Sequence, residues 1–249
     1  MTEQLLRLAV IGDPVAHSDS PRLHRGFLAE ADLAGSYEAI RVAAGDGAHA
    51  IDELRANGYA GLNVTTPLKE EAFARADWRD GIAQASGAVN TLLLRSDGVE
   101  GYNTDGVGAI GALAAEGLQD VGGCSVLVLG AGPTARAAIL ALVHAGAQVW
   151  LWNRTQSRAD SLVATFGASL WVPGVPVDAA LCTLAPEAEL DAYLKAALLA
   201  APVVIDANYG PRFSLAAALQ RPDVRDGLAM LAASARASFE LFRGSVRRG

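Results

Sequence analysis

The sequence predicts a two-domain α/β protein with parallel sheets, on three observations. Short apolar runs alternate with helix-patterned segments almost throughout the 249 residues, which is the pattern of parallel strands covered by helices. That length allows one large domain or two modest ones, each able to bury a core. A link, "GLQDVGG", then precedes a second run of elements that opens sharply as strand, glycine-rich turn, helix, glycine cap and strand, "SVLVLGAGPTARAAILALVHAGAQVWLWNRT".

In chain order, residues 6–11 form an apolar run that reads as a buried strand, and residues 21–31 read as a helix with Pro21 in its first turn. Residues 37–42, 61–65 and 89–94 are further strand candidates. Helical patterning covers residues 48–57 and 67–76, the latter expected to start at Pro67, and a helix beginning near Asp105 runs to about Glu116. After the strand at 125–129 and the glycine-rich unit, strand-like runs follow at 180–184 and 203–207. The tail "GLAMLAASARASFELFRG" is an amphipathic helix, with Leu228, Leu231, Ala235, Phe239 and Phe242 at helical spacing. There is no internal repeat and no low-complexity tract.

Composition limits the function. Hydrophobic residues at 51% and charged residues at 19% describe a folded chain rather than a disordered one. A net charge of −7 argues against nucleic acid as partner, so an anionic ligand would need locally placed Lys, Arg and backbone donors. Cys124 and Cys182 make no disulfide framework or metal spacing, which suits a reducing cytoplasm. The first residues lack a secretory pattern, and no apolar stretch reaches the roughly 20 residues of a membrane span. In that compartment the glycosylation patterns at Asn63-Val64-Thr65 and Asn153-Arg154-Thr155 are coincidental. His17 and His24 have no third ligand at metal spacing, so no metal is expected.

Gly130-Ala131-Gly132-Pro133-Thr134-Ala135 fits the dinucleotide fingerprint Gly-x-Gly-x-x-Gly/Ala in its required place, after a strand and opening a helix. Gly130 permits the tight turn, Gly132 lets backbone approach a pyrophosphate, and Ala135 keeps helix and strand close. Free N–H groups and the positive helix end would then face the phosphates. An NAD site carries Asp or Glu at the end of the following strand. Here that place holds Asn153-Arg154-Thr155-Gln156-Ser157-Arg158, with no carboxylate and two guanidiniums. Asn153, Arg154, Thr155 and Arg158 suit a 2′-phosphate, because Arg binds phosphate in a bidentate way and stacks on adenine. The expected cofactor is NADP(H). A helix start capped by Thr155, with surface arginines, is the alternative.

In the first half, Ser18 and Ser20 stand one residue apart at a helix entrance, where two hydroxyls can hold a carboxylate beside the helix dipole or where Ser20 simply caps the helix. "NVTTPLKEE" places Asn63, Thr65 and Lys69 after a strand, "SGAVNT" supplies Asn90 and "GYNTDGVG" supplies Asp105. Individually these are turn and cap residues. Together they offer donors and acceptors suited to a small polyhydroxy ligand.

With "GDPVAHSDSP", "NVTTPLKEEAFARAD", "SGAVNT", "GYNTDGVG", "GAGPTAR", "NRTQSR" and "GLAML" in this order, the sequence resembles the shikimate dehydrogenase family over nearly its whole length. The resemblance implies NADPH-dependent reduction of 3-dehydroshikimate to shikimate, in aromatic amino-acid biosynthesis; the sequence leaves monomer and homodimer both open. It implies that residues 1–103 and 227–249 form a substrate domain and 104–226 a Rossmann-like cofactor domain, with the substrate in the cleft between them. By the same resemblance Ser18, Ser20 and Tyr209 approach the substrate carboxylate, Asn63, Thr65, Asn90 and Asp105 bind ring hydroxyls, and Lys69 is the catalytic lysine, relaying a proton with Asp105.

Three departures stand out. Where the family has an Asn-Ala-Thr-x-x-Gly turn lining the nicotinamide, this chain reads "LCTLAPEAE", keeping only Thr183. Ser234 stands where the family carries a substrate-contacting glutamine, which would leave a gap for water or a larger substrate. The chain is also short for the family, with the trimming in the cofactor domain. These leave open a related substrate, such as quinate or an aminated shikimate analogue, and a catalytically weak NADP(H)-binding sensor.

Overall fold

A computed structural model describes residues 5–246. The chain forms two compact units: one takes it up to Thr104 and again from Ser234, the other runs Asp105–Ala233. The return to the first unit thus falls at Ser234 rather than at 227, because Met230, early in the last helix, is buried in the core of the second unit.

The first unit contains β1 (Leu6–Gly12), α1 (Ser20–Glu30), β2 (Gly35–Arg41), α2 (Gly47–Ala56), β3 (Gly61–Val64), α3 (Lys69–Arg75), β4 (Trp78–Arg79), α4 (Gly81–Ser86), β5 (Thr91–Leu94) and β6 (Val99–Tyr102). The six strands lie in the order β2-β1-β3-β5-β6-β4. Period-2 alternation splits β1 between two cores. Leu6, Leu8 and Val10 face one core with Tyr37, Phe27, Phe239 and Phe242, while Ala9 and Ile11 face another with Ile51, Leu62 and Leu68. Gly61 is required where it stands, since a Cβ there would collide with the Phe242 ring. The expectation of parallel pairing needs one correction. β1 pairs in parallel with β2 and β3, but β5 runs antiparallel to both β3 and β6, so this sheet is mixed.

The second unit contains α5 (Asp105–Ala115), β7 (Ser125–Leu129), α6 (Pro133–His144), β8 (Gln148–Trp152), α7 (Gln156–Phe166), β9 (Ser169–Leu170), β10 (Ala179–Cys182), α8 (Ala192–Ala200), β11 (Val203–Asp206) and α9 (Leu215–Leu219). Its sheet, β11-β10-β7-β8-β9, is parallel throughout. Val126 and Val128 pack under α5 and α6, and Leu127 and Leu129 face α8 and α9. Gly106 sits where α5 meets α6, and a Cβ there would lie 2.8 Å from the Ala137 carbonyl oxygen.

The last helix, α10 (Leu228–Val246), carries the expected apolar stripe. Its start differs: Leu228 is 38% exposed, and Met230 is the buried side chain of the first turn.

Candidate functional site

In the first unit, β1 is followed by β2 on one side and β3 on the other, so the carboxyl ends of β1 and β3 flank a topological switch point, where open α/β sheets place ligands. The Thr65 N–H donates to the Ile11 carbonyl at 3.0 Å, which sets the "NVTT" segment beside the loop leading to Ser18. Because β5 is antiparallel to β3, its first residues lie at this same end, with Thr91 opposite Asn63. Because β6 is antiparallel to β5, its last residues arrive there too, and the Asn90 N–H donates to the Tyr102 carbonyl at 3.0 Å. The reversal of β5 is therefore what gathers Asn63, Thr65 and Asn90 at one end of the sheet.

Ser20 is the first residue of α1 and is buried, while Asp19 occupies the capping position, so Ser20 is not the helix cap. The Ser18 Oγ accepts the Ser20 N–H at 3.3 Å. Lys69 is likewise the first residue of α3, and Pro67 lies in the preceding turn rather than starting the helix as expected. Lys69 is 8% exposed, and its carbonyl accepts the Val89 N–H at 2.9 Å, tying the lysine to the segment that carries Asn90 into β5.

Three hydroxyl residues absent from the sequence expectation join this cluster. Thr91 donates to the Asn90 Oδ1 at 2.9 Å and accepts from the Asn63 Nδ2 at 3.2 Å. Thr104 donates its N–H to the Asn90 Oδ1 at 2.9 Å, and its hydroxyl lies 2.8 Å from the Ser234 Oγ. Ser234 also accepts from the Asn90 Nδ2 at 3.4 Å, so its short side chain is bound into the network. Tyr37 donates to the Asn63 Oδ1 at 2.7 Å. Thr91 and Thr104 adjoin residues already singled out, and hydroxyls beside Asn90 and Asp105 were the available signal. Nothing in the sequence marks Tyr37.

In the second unit the switch point lies between β7 and β10, since the chain passes from β7 to β8 on one side and reaches β10 on the other. Gly130 has φ +119°, a region only glycine adopts freely, and a side chain there would strike the Thr183 hydroxyl. Thr183 donates that hydroxyl to the Leu129 carbonyl at 2.9 Å, so it buttresses the glycine turn from the neighbouring strand. Gly132 is extended at the helix entrance, and a Cβ there would meet nothing within 4 Å. Pro133 takes the first helical position of the twelve-residue helix α6, and the capping residue Gly132 has no side chain to cover the helix start. This open cradle fits a pyrophosphate.

β8 pairs with β7 so that Trp152 stands opposite Leu129, which brings Asn153 and Arg154 alongside the glycine turn. Asn153 donates to the Thr155 carbonyl at 2.9 Å. Thr155 occupies the capping position of α7, yet its side chain makes no cap bond. Arg154 and Arg158 are exposed, and neither belongs to an ion pair among the described residues. Two uncommitted guanidiniums without a carboxylate fit a 2′-phosphate.

Asp105 is buried as the first residue of α5, and its Oδ2 accepts the Thr134 hydroxyl at 3.3 Å. Tyr209 is half-buried in the loop after β11. Asp206 builds that loop: its Oδ1 accepts the Asn208 N–H at 3.0 Å and the Asn208 Nδ2 at 2.8 Å. Burial raises the Asp206 carboxyl above its usual range, opposed by the Asn208 bonds. Asn208 reaches on to the Leu184 carbonyl at 2.9 Å and so joins the loops holding Thr183 and Tyr209. Among the described residues no acidic, histidine or cysteine group could hold a metal, and no helix is long and apolar enough to cross a membrane.

Comparison with known proteins agrees with these two halves. Residues 10–92 match the shikimate dehydrogenase substrate binding domain, and residues 112–173 match the shikimate/quinate 5-dehydrogenase family. The NADP(+) shikimate dehydrogenase of Acidiphilium cryptum is 48% identical over 65% of this chain, and the chain spans 58% of its length. That of one strain of Thermus thermophilus is 40% identical over 96% of this chain and 93% of its own. The crystal structure of shikimate 5-dehydrogenase from a second Thermus thermophilus strain, in complex with NADP(H) and shikimate, superposes with a TM-score of 0.83 at 35% identity, covering 96% of this chain and 94% of that one. The chain belongs to the shikimate dehydrogenase family.

Proposed function

We propose that the protein is an NADPH-dependent shikimate dehydrogenase that reversibly reduces 3-dehydroshikimate to shikimate in the cytoplasm. The observation that carries this reading is the gathering of Ser18, Ser20, Asn63, Thr65, Lys69 and Asn90 at the switch point of one sheet, in a chain whose relatives carry that name over more than nine-tenths of its length. Ser18 and Ser20 at the start of α1 hold the substrate carboxylate, with Tyr209 as a further contact. Asn63, Thr65, Asn90 and Asp105 bind the ring hydroxyls. The buried network around Asn90 keeps these groups from reorganising, which makes their alignment with the reacting carbon inexpensive.

The Gly130–Ala135 turn and the Asn153–Arg158 segment hold NADP(H), which when bound supplies the hydride. Reducing the ketone also requires one proton at the carbonyl oxygen. Lys69 delivers it with the assistance of Asp105, and in the reverse direction the pair takes it back. Burial of Lys69 keeps bulk water from competing for that transfer.

The test is loss of NADPH absorbance with purified protein and 3-dehydroshikimate, in parallel with NADH and with 3-dehydroquinate. Fast turnover selective for NADPH and 3-dehydroshikimate is expected. Tight NADPH binding with no turnover of either substrate would sink the assignment.

A further inference from the structure

Tyr37 and Asn63 stand on different strands, with β1 between them. In register, Tyr37 pairs with Leu8, and Asn63 pairs with Val10. Leu8 and Val10 are two apart, so all four side chains share one face of the sheet. The Tyr37 ring crosses β1 on that face and donates its hydroxyl to the Asn63 Oδ1 at 2.7 Å.

The orientation of the Asn63 amide follows from its partners. The Asn90 carbonyl can only accept, and it lies 3.4 Å from one end of the amide, so that end is the Nδ2. Thr91 spends its one hydroxyl hydrogen on the Asn90 Oδ1 and therefore accepts from the same Nδ2 at 3.2 Å. Both amide hydrogens are then used. On the oxygen, Tyr37 takes one lone pair and leaves the other. Asn63 is half-buried and reaches the open end of the sheet, so what it still offers a ligand is an acceptor.

Tyr37 is itself clamped. It is 1% exposed, and the His24 ring stacks on it with centroids 4.3 Å apart and planes within 7° of parallel. The Arg25 Nε and Nη2 both donate to its carbonyl, at 3.1 and 2.9 Å. His24 and Arg25 belong to α1, the helix that starts with Ser20. Among the described residues neither ring nitrogen of His24 has a hydrogen-bond partner, and the imidazole serves the stack and the adjoining Phe27, Phe239 and Phe242 rings.

We propose that Tyr37 is a positioning residue of the substrate site, which locks the Asn63 amide so that the site selects a ring hydroxyl donating a hydrogen bond at that place. This rests on Asn63 being a substrate contact, as in the function proposed above. A ligand offering only an acceptor there, such as an ether or a second ketone, meets the remaining lone pair and is rejected.

The experiment is a double-mutant cycle on kcat/KM for 3-dehydroshikimate, with Tyr37→Phe, Asn63→Ala and both together. Tyr37→Phe keeps the ring that His24 stacks on, and melting temperature and NADPH affinity report its folding. We expect Tyr37→Phe to lose about tenfold, mostly through substrate KM. The double variant should match Asn63→Ala within about twofold, because Tyr37 acts through Asn63. Additive losses, or an unaffected Tyr37→Phe, overturn the proposal. Should Tyr37→Phe fail to fold, Arg25→Gln, at an exposed position, takes its place in the cycle, with a smaller loss that is again non-additive. Full activity in Asn63→Ala, or no wild-type turnover of 3-dehydroshikimate, fells the underlying reading first and is distinguishable because no Tyr37 variant is involved.

Discussion

Lys69 occupies a position that makes little sense for a surface lysine: it opens a helix, where the dipole disfavours a cation, and it is buried. Under the proposed function the lysine carries the proton, so Lys69→Ala should keep its NADP(H) affinity while kcat falls by about 10²- to 10⁴-fold. Retention of most of kcat would remove the lysine from the mechanism. His24 makes a prediction about stability instead. Burial holds its pKa at about 3, with the Arg236 charge adding in the same direction, so the folded imidazole stays neutral where the unfolded one, near 6.5, takes up a proton. Its contribution is complete above about pH 6.5 and is lost progressively as pH falls towards 3, on the order of a few kcal/mol. His24→Leu should flatten the dependence of melting temperature on pH across that window; an unchanged slope would contradict it. At this scale the sequence singled out Asn63, Asn90 and Lys69, which the fold brings to one end of the first sheet, but not Tyr37, because a contact made across an intervening strand leaves no trace in local spacing. Thr91 and Thr104 were legible in principle, since each adjoins a residue whose role was read.

Among the elements, two glycines separate folding from binding. Gly106→Ala would push a methyl against the Ala137 carbonyl and the Ala141 side chain, costing about 1–3 kcal/mol, with a fall in melting temperature of roughly 2–4 °C for each kcal/mol. Gly132→Ala meets no protein atom, so the melting temperature should hold while NADP(H) binding weakens. Equal stability in both variants would contradict the packing described for α5 and α6. The strands were legible wherever apolar runs had full length, and the glycine-rich strand–turn–helix was placed to the residue. The direction of β5 was not read, although "RSDG" between two apolar runs is a hairpin signal, and the Arg95 N–H duly bonds the Gly98 carbonyl at 2.9 Å. Two-residue β4 and six-residue α4 are too short to show a period. Leu228 fitted the apolar stripe yet faces outward, because helical spacing does not say on which turn burial begins.

At the scale of the whole molecule, each unit has its own sheet and cores, so each ligand should protect the unit that supplies its contacts. Hydrogen exchange with saturating NADP+ is expected to slow amides of β7, α6 and β10 first, by up to about 2.7 kcal/mol at a hundred times Kd. Protection confined to residues before Thr104 would misplace the cofactor site. The first unit also brings together the two extremes of the chain: Leu8, Val10 and Tyr37 share a core with Ala235, Phe239 and Phe242, and Gly61 leaves the space that Phe242 fills. On the ribosome, at about 5–20 residues per second, those first strands are made many seconds before the aromatic side chains that cover them. The nascent sheet therefore waits with one oily face bare while the entire second unit is synthesised, and this is the interval in which a chaperone would find the chain.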